Sequence, residues 1–180
     1  MKILVERSVL LPALAVVGGV VERRQTLPIL GNLLLVAEED GVRLRGSDLE
    51  IEISTRAAAD VQEGGAVTLP ARKLIDIVRS LPEDGRIEIK SQDDRASLVC
   101  NRSRFTLSTL AAGDFPSMEV AEAQVRLDLD RELLRRLLDK TAFAMAHQDV
   151  RYYLNGVLLE LGSGRIVAVA TDGHRLAKVV

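Results

Sequence analysis

The chain repeats part of itself at a spacing of 124 residues. The letters LGNLLL at 30–35 return as LNGVLL at 154–159, and Asp48 returns 124 positions later as Asp172. A repeat unit this long indicates a duplicated domain rather than a short solenoid repeat, and the second copy stops about halfway through. The sequence therefore predicts one whole domain followed by part of a sibling, and a function that repeated domains perform together.

Composition and targeting signals restrict the class of protein. With 180 residues, 47% apolar and 28% charged, the chain can form both a packed core and a solvated surface. The net charge of −2 suggests no polyanion partner by itself, although acidic residues elsewhere can balance a local basic face. Cys100 is the single cysteine, which excludes a disulfide framework and a CxxC metal pair. Because the N-terminus lacks a signal-peptide pattern and no stretch reaches 18 apolar residues, we expect a cytoplasmic protein without membrane contact.

Turn signals and hydrophobic periodicity predict the same pattern twice within the first domain. Each half is predicted as β-α-β-β-β, with Ser8 capping the first helix and Pro70 opening the second. The predicted strands are 2–5, 27–38, 41–46, 49–58, 67–69, 86–91, 95–101 and 103–110, and the predicted helices are 8–17 and 71–80. We therefore expect an α+β fold with a complete first domain at residues 1–118.

The second domain is predicted at residues 125–180, after a linker over 117–124. It comprises a strand, a helix capped by Asp130 and three further strands, at 125–129, 131–144, 153–161, 165–170 and 174–180. Only one β-α-β-β-β half is present, and half a domain leaves a helix face and a sheet edge uncovered. We therefore expect the chain to be part of a longer protein, or a partner chain to cover the exposed edge.

Both later helices are predicted to carry a net basic face opposite an apolar stripe. On helix 71–80 that face holds Arg72, Lys73 and Arg79 beside Asp76. On helix 131–144 we expect Leu133, Leu134, Leu137 and Leu138 to be buried, and Arg131, Arg135, Arg136 and Lys140 to be exposed beside Glu132 and Asp139. Cationic helix faces can follow a phosphate backbone without reading bases, and an ordinary solvated face is the alternative. The first helix has no charge between Ser8 and Val17 and is not expected to contribute.

The only two tyrosines are adjacent, in the segment HQDVRYYLNG at 147–156. If the segment is a strand, neighbouring side chains point to opposite faces, so at most one of Tyr152 and Tyr153 is core. A surface tyrosine beside Arg151 and Gln148 suits stacking and phosphate contact. The alternative is that one tyrosine anchors the loop on the sheet.

The segment TDGHRL at 171–176 follows an apolar strand and contains a strong turn signal. Ser47-Asp48 holds the same place in the first copy, so Thr171 and Asp172 are expected to cap the turn. Gly173, His174 and Arg175 have no such matching residues there, since the first copy reads Leu49-Glu50-Ile51, and we interpret them as the specialised part.

Catalytic and metal-binding signals are weak. A metal site or an acid–base pair would draw on His147, His174, Asp149 and Asp172, but the histidines lack the HxxxH spacing. The sequence contains neither a G-x-S-x-G elbow nor a Walker A loop. We therefore expect a protein that is not an enzyme and that uses no metal or cofactor.

Five segments, in order, carry a family resemblance. They are TLPILGNLLL from Thr26, LPARK from Leu69, SRFTLSTL from Ser103 with Asp114-Phe115-Pro116, MAHQDVRYYLNG from Met145, and ATDGHRLA from Ala170. Across nearly all of its length the chain resembles the bacterial sliding clamp, the beta subunit of DNA polymerase III. The resemblance implies a DNA-clamp fold, in which three similar domains per chain form a head-to-tail homodimeric ring with helices inside and antiparallel sheets outside. Residues 1–118 are then the first clamp domain, residues 125–180 the first half of the second, and the third domain is absent.

The implied function is that of a processivity factor. In the family, the ring encircles duplex DNA without sequence preference during replication and repair. It tethers the DNA polymerase III catalytic subunit, the clamp loader and other polymerases through short linear peptides, and it has no catalytic residue. The chain is thus expected to be an N-terminal fragment of a clamp, and the alternative is a regulatory fragment that binds partner peptides without encircling DNA.

The resemblance also implies roles for individual residues. DNA contact is implied for Arg24, Arg72, Gln148, Tyr152 and Tyr153. One wall of the peptide-binding pocket is implied for Leu154, Thr171, Gly173, His174, Arg175 and Leu176. The subunit interface is implied for Lys73, Ile77, Leu81, Arg104, Phe105 and Leu107. Because the third domain supplies the other side of both surfaces in the family, we expect an incomplete pocket and an uncovered interface here.

Overall fold

A computed structural model describes residues 1–21, 27–118, 126–162 and 164–180. The chain divides into Met1–Val120 and Ala121–Val180, hereafter unit 1 and unit 2, and each has its own sheets. Within the described ranges, no helix combines the length and the apolar character needed to cross a membrane.

Unit 1 contains the β-α-β-β-β pattern twice, as predicted. Its first half consists of β1 (Lys2–Glu6), α1 (Arg7–Gly18), β2 (Asn32–Glu38), β3 (Gly41–Ser47) and β4 (Glu52–Ala57). Its second half consists of β5 (Asp60–Glu63), β6 (Gly65–Pro70), α2 (Ala71–Ser80), β7 (Arg86–Gln92), β8 (Arg95–Cys100) and β9 (Ser103–Ser108). The strands form two antiparallel sheets, in the orders β5-β1-β7-β8-β9 and β4-β3-β2-β6. This architecture agrees with the predicted α+β class.

The strand predicted at 67–69 is the end of a longer, bent strand. β5 pairs with β1 in the five-stranded sheet, whereas β6 pairs with β2 in the four-stranded sheet, and Gly64 separates the two. Gly65 has a φ of +131°, which L side chains rarely adopt, so glycine suits the point where the strand changes sheets. The sequence did not predict β5 because Val61 is its one apolar residue, which leaves no alternation to read.

Each half of unit 1 gives its first strand to the sheet of the other half. β1 pairs with β7, with Ile3 opposite Ile89, and β6 pairs with β2, with Val67 opposite Leu35. The two pairings are equivalent in register, because Ile3 precedes α1 by as many residues as Val67 precedes α2. The halves are therefore joined by a reciprocal exchange of strands.

The core of unit 1 lies between the helices and the sheets. α1 buries Leu10, Leu14 and Val17, and α2 buries Leu74 and Val78. The two helices also pack against each other, so each covers part of the apolar face of its partner. Their opposite faces remain exposed to solvent.

The predicted cap of the first helix is wrong. α1 begins at Arg7, its N-cap residue is Glu6, and no side chain caps it. The backbone N–H of Arg7 donates to the carbonyl oxygen of Gly85 at 2.8 Å. A distant part of the chain thus provides a hydrogen-bond acceptor for the first N–H of the helix, one residue before Ser8.

Two predicted strands begin later than expected. Pro28–Gly31 forms a 3-10 turn, so β2 starts at Asn32 rather than at 27. β4 likewise starts at Glu52, after a turn centred on Leu49.

Unit 2 contains one helix and one three-stranded antiparallel sheet. The elements are α3 (Arg131–Asp139), β10 (Leu158–Gly162), β11 (Arg165–Thr171) and β12 (Leu176–Val179), with 3-10 turns at Ala142–Ala144 and Tyr152–Leu154. Asp130 caps α3 as predicted, because its carboxylate accepts a hydrogen bond of 3.0 Å from the backbone N–H of Leu133.

The strand predicted at 125–129 does not form over residues 126–129, and Val125 lies outside the described residues. A strand requires a hydrogen-bonding neighbour. In unit 1 the equivalent strand, β1, lies between β5 and β7, whereas residues 126–129 have no such neighbours in the described part of unit 2.

The helix predicted at 131–144 ends at Asp139. Thr141 has non-helical backbone angles, and its hydroxyl donates to the carbonyl oxygen of Leu137 at 2.7 Å, so a short 3-10 turn follows instead.

The strand predicted at 153–161 begins only at Leu158, because Tyr152–Leu154 is a 3-10 turn.

The prediction that four leucines of α3 are buried is only partly correct. Leu137 is buried and Leu134 half-buried, whereas Leu133 is 44% and Leu138 39% exposed. Leu138 corresponds to Leu14, which α2 helps to bury completely in unit 1, and α3 has no such helix against it within the described residues.

Candidate functional site

The basic face of α2 is exposed as predicted. Arg72, Lys73 and Arg79 are all accessible to solvent, and the ion pair between Arg79 and Asp76 is long, at 3.9 Å. Arg72 and Lys73 lie in the first turn, where the helix dipole favours anions and disfavours cations. Arg72 and Lys73 therefore do not stabilise the helix through its dipole, and their side chains are available to an external anion.

The neighbouring helix offers a different surface. The exposed residues of α1 are neutral, as predicted, and are Ser8, Val9, Pro12, Ala15 and Val16. Arg24, for which DNA contact was implied, lies outside the described residues. In unit 1 the described cationic helix face is therefore that of α2.

α3 carries a second basic face in unit 2. Its exposed cations are Arg131, Arg135, Arg136 and the C-cap residue Lys140. Arg135 pairs with Asp139 at 3.5 Å across one helical turn, and the two side chains are about two-thirds exposed. Such an exposed pair contributes little to stability, so the guanidinium remains available to other anions.

The two tyrosines project from a turn rather than from a strand. Tyr152 is 82% and Tyr153 is 68% exposed, and their rings meet edge to face at 6.0 Å. The strand predicted to start at 153 does not include Tyr153, and neither ring is buried as an anchor on the sheet. Gln148 is exposed as well, on a left-handed backbone with a φ of 55°.

A polar network holds the tyrosine loop in place, and the sequence reading missed it. Asn155 closes the loop, since its side chain donates to the carbonyl oxygen of Asp149 and accepts from the N–H of Asp149, both at 3.0 Å. The Asp149 carboxylate accepts from Arg151 Nε at 3.0 Å and from a terminal nitrogen at 2.8 Å. These hydrogen bonds from Arg151 lower the pKa of Asp149 to about 2. The sequence signal was an Asp two residues before an Arg with an Asn four residues beyond, in a segment with little apolar alternation.

The turn after β11 is capped by its own side chains, as predicted. One Asp172 carboxylate oxygen accepts from the N–H groups of His174 and Arg175, each at 2.9 Å, and these bonds lower the pKa of Asp172 to about 2. The Thr171 hydroxyl accepts from Gly173 N–H at 3.1 Å.

The first copy of the repeat makes the same turn. Asp48 accepts from the N–H groups of Glu50 and Ile51 at 2.9 and 2.7 Å, and the Ser47 hydroxyl accepts from Leu49 at 3.1 Å. The equivalence confirms the interpretation of Thr171 and Asp172 as capping residues.

The residues implied for the peptide pocket fall into two groups. Leu154 and Thr171 line one cavity of 170 Å³, together with Tyr153, Gly156, Leu158, Val169 and Ala170. Gly173, His174, Arg175 and Leu176 are exposed around the neighbouring turn and do not line that cavity. Leu176 still lies opposite Thr171 across the pairing of β11 with β12.

Arg175 is held from two sides at the rim of this turn. Its Nε donates to Asp172 at 2.9 Å, and its guanidinium carbon lies 6.0 Å from the centre of the Phe143 ring. Phe143 is 60% exposed, and the sequence reading did not single it out.

The residues implied for the subunit interface lie on α2, just beyond it and on β9. Lys73 and Arg104 are exposed, Ile77 and Phe105 are half-buried, and Leu81 and Leu107 are buried in the core of unit 1. Among the described strands β9 pairs with β8 alone, so it is an edge strand of the five-stranded sheet. The set thus combines exposed charge with an open strand edge.

No metal-binding arrangement is present among the described residues, where no three His, Cys, Asp or Glu side chains converge. The carboxylates of Asp149 and Asp172 are instead engaged by Arg151 and Arg175.

Family models match both units. A model described as the N-terminal domain of the DNA polymerase III beta subunit matches residues 1–119, and one described as its central domain matches residues 128–179.

Individual relatives give the same result. The chain is 52% identical over 174 residues to the beta sliding clamp of Pseudomonas aeruginosa, covering 96% of this chain and 47% of that protein. It is 48% identical over 178 residues to the beta sliding clamp of Escherichia coli, covering 98% of this chain and 48% of that protein. A crystal structure of the P. aeruginosa sliding clamp bound to griselimycin matches with a TM-score of 0.94 and 51% identity, over 99% of this chain and 48% of that one. The chain therefore spans about half the length of the relatives it matches.

Proposed function

Since the chain belongs to the family of DNA polymerase III beta subunits, the beta sliding clamps, we propose that it is the N-terminal part of a DNA sliding clamp, the processivity factor that encircles duplex DNA and tethers the replicative polymerase. In this proposal residues 1–118 are a complete clamp domain and residues 125–180 the first half of the next. The protein is a non-catalytic, cytoplasmic subunit that needs no cofactor.

The observation that carries the proposal is that basic, solvent-exposed helix faces occur in both units of a repeated module. α2 presents Arg72 and Lys73 where the helix itself gains nothing from them, and α3 presents cations that are at most weakly paired. Duplex DNA has one phosphate charge per about 1.7 Å of axis, so such faces attract it without reading its sequence.

Sparse contacts suit a sliding mechanism. The exposed face of α1 is neutral, and acidic residues lie among the cations of α2 and α3. Each phosphate that is neutralised strengthens binding and its salt dependence. A ring held on DNA by its closed topology requires few such contacts, and many contacts would hinder movement along the duplex.

The exposed tyrosine loop is the second proposed DNA contact. Gln148, Tyr152 and Tyr153 are free to approach a backbone, because the network around Asp149 and Asn155 fixes the loop without using them. Arg24 is carried in the proposal from the family resemblance alone.

Partner peptides are proposed to bind at the other end of the same loop. The cavity beside Leu154 and Thr171 is apolar, and its size suits one or two side chains of an extended peptide. The adjacent turn and the start of β12 contain Gly173, His174, Arg175 and Leu176. A related clamp has been solved with griselimycin bound. The proposed partners are the polymerase III catalytic subunit, the clamp loader and other polymerases.

The subunit contact is proposed at the edge strand β9 and the adjoining end of α2, where Lys73, Ile77, Leu81, Arg104, Phe105 and Leu107 lie. An open edge strand can pair with a strand of another subunit. Head-to-tail closure of a homodimeric ring is the arrangement that this surface would serve.

A chimaera tests the main proposal. Residues 1–180 replace the matching residues of the P. aeruginosa clamp, and retention on nicked circular DNA is compared with retention on linear DNA at high salt. We expect the chimaera, like the parent clamp, to stay on the circle and to leave the linear duplex. Loss from both substrates, with the parent clamp retained on the circle, would contradict the proposal.

The second candidate function is a regulatory fragment that binds partner peptides without encircling DNA. The observation that favours it is that the cavity at Leu154 and Thr171 is formed entirely within unit 2. Competition distinguishes the two, because such a fragment binds the partner peptides and so releases the polymerase from a complete clamp, while it remains unbound to circular DNA.

A further inference from the structure

Residues 109–118, hereafter the strap, follow β9 and belong to unit 1. They contain one short 3-10 turn, Ala112–Asp114, and form no strand. The first half of unit 1 has no equivalent segment, because only residues 58 and 59 separate β4 from β5. The strap is therefore an addition to the repeated β-α-β-β-β half rather than a part of it.

The first anchor of the strap is a buried hydroxyl group. Thr68 is 0% exposed, and its Oγ1 donates to the carbonyl oxygen of Leu110 at 2.8 Å and accepts from the N–H of Leu110 at 2.9 Å. The side-chain amide of Asn32 donates to the same Oγ1 at 3.0 Å. A hydroxyl has one hydrogen to donate and two lone pairs, so these three bonds use its full capacity. Thr68 thus holds one end of the strap by its backbone.

The second anchor of the strap is a carboxylate. Glu52 accepts from the N–H of Met118 at 3.3 Å, and Arg45 donates to the two oxygens of Glu52 at 2.9 and 2.6 Å. The hydrogen bonds from Arg45 lower the pKa of Glu52, so the carboxylate remains charged at neutral pH. The bond to Met118 is longer than a typical N–H to oxygen bond, which suits a contact that breaks readily.

The two anchors lie on opposite edges of the four-stranded sheet, Thr68 on β6 and Glu52 on β4. Between them on β2, Leu34 lies opposite Thr68 on one side and opposite Arg45 on the other. Leu34 points away from the core of unit 1, since the residues on either side of it belong to that core and it does not. It is nevertheless only 6% exposed. The strap therefore crosses the outer face of this sheet and covers Leu34.

The strap is weakly attached between its anchors. Phe115 is its one buried side chain, whereas Leu110 and Met118 are 42% and 41% exposed. A cavity of 310 Å³ lies beside residues 109–112, so the first part of the strap is incompletely packed. Segments with few buried apolar contacts open locally at a lower free energy than the core around them.

We propose that the strap opens and closes as one unit on the outer face of the four-stranded sheet, by release of both anchors and without unfolding of the core of unit 1. Opening would add residues 109–118 to the free connection between β9 and unit 2, which is up to about 35 Å of extended chain. The strap thus controls the length of that connection. This inference does not depend on the proposed clamp function, because every residue that carries it lies in unit 1.

Thiol labelling of the 180-residue chain tests the opening. Leu34→Cys places a thiol beneath the strap, and Cys100, buried in the core, is the control in the same molecule. With an excess of an aromatic disulfide reagent, we expect the introduced thiol to react at least about 100-fold faster than Cys100, because local opening exposes the first and global unfolding the second. Low urea concentrations should speed the reaction of Cys100 and leave that of the introduced thiol nearly unchanged.

Hydrogen exchange in the unsubstituted chain gives a second measurement. The amides of Leu110 and Met118 should be protected, yet exchange at least about 100-fold faster than the slowest amides of β2. Thr68→Val removes one anchor and should speed exchange at Leu110 and, if the strap is one unit, at Met118 by the same factor of about tenfold. Thr55→Val, at a half-buried position on β4, is the matched control and should leave both rates unchanged.

Three results would overturn the proposal. Equal labelling of the introduced thiol and Cys100, with the same dependence on urea, would mean that the strap opens only when the core unfolds. Faster exchange at Leu110 but not at Met118 in Thr68→Val would mean that the two anchors open independently. An unprotected Met118 amide in the unsubstituted chain would mean that Glu52 does not hold the strap in solution.

Discussion

Leu49 and Gly173 occupy the same place in the two copies of the repeat and share a left-handed backbone, with φ values of 80° and 90°. Each follows an acidic residue that caps the turn, Asp48 in one copy and Asp172 in the other. Glycine adopts this conformation without strain, whereas for leucine it is strained. The two turns therefore differ in their stored strain although their hydrogen bonds are alike.

Substitutions at these two positions should have opposite effects. Gly173→Ala should destabilise unit 2 by about 1–2 kcal/mol, because the new Cβ is strained and would lie 3.3 Å from Arg151. Leu49→Gly should be neutral or stabilise by up to about 1 kcal/mol, since strain relief is partly offset by the freedom that glycine adds to the unfolded chain. Urea denaturation measures both, and a Gly173→Ala chain as stable as the parent would contradict the assignment.

Arg7 joins the start of α1 to the end of α2. Its Nε donates to the Val78 carbonyl oxygen at 3.0 Å and a terminal nitrogen donates to that of Arg79 at 3.2 Å. Arg7→Ala leaves these helix-end carbonyls without a partner and should destabilise unit 1 by about 1–2 kcal/mol. Arg131→Ala, at the equivalent position in unit 2, is the control and should change stability by less than about 0.5 kcal/mol, since Arg131 is exposed. If the two substitutions lowered the free energy of unfolding equally in denaturation experiments, Arg7 would not be acting as a cap for the end of α2.

The turn at Asp172 should respond to acid. Its folded pKa of about 2 lies below the ordinary value of 3.8, so the charge stabilises the folded turn above pH 3.8. That contribution is lost as the pH falls from about 4 to about 2, and neutral pH lies outside this window. A carboxyl titration by NMR should show a midpoint near 2 for Asp172, and in Asp172→Asn this part of the acid dependence should disappear. A midpoint near 3.8 would mean that the turn does not hold the carboxylate in solution.

The tyrosine pair should matter for DNA and not for folding. Replacing Tyr152 and Tyr153 with alanine in the chimaera should weaken DNA binding by at least about tenfold, because two exposed aromatic surfaces are removed. Stability should change by less than about 0.5 kcal/mol. Val150→Ala, at a position 96% exposed in the same loop, is the matched control. A collapse in melting temperature together with unchanged DNA binding would show instead that the rings are structural.

Several features of the protein followed from short stretches of sequence. The apolar stripe and basic face of α2 and the caps at Asp130 and Asp172 depend on residues a few positions apart in the chain. Local periodicity and capping chemistry express such contacts directly.

The tertiary structure decided what depends on distant partners. The bend at Gly64 is set by two different sheets, the start of α1 is satisfied by Gly85, and Asn155 folds the tyrosine segment into a turn. Leu14 and Leu138 are the same residue at the same point of the repeat, yet one is buried and the other exposed; α1 has a second helix packed against it, and α3 has none within the described residues. Burial and strand pairing each involve two segments. The sequence of one segment shows which of its side chains could be buried, and the tertiary structure determines whether another segment packs against them.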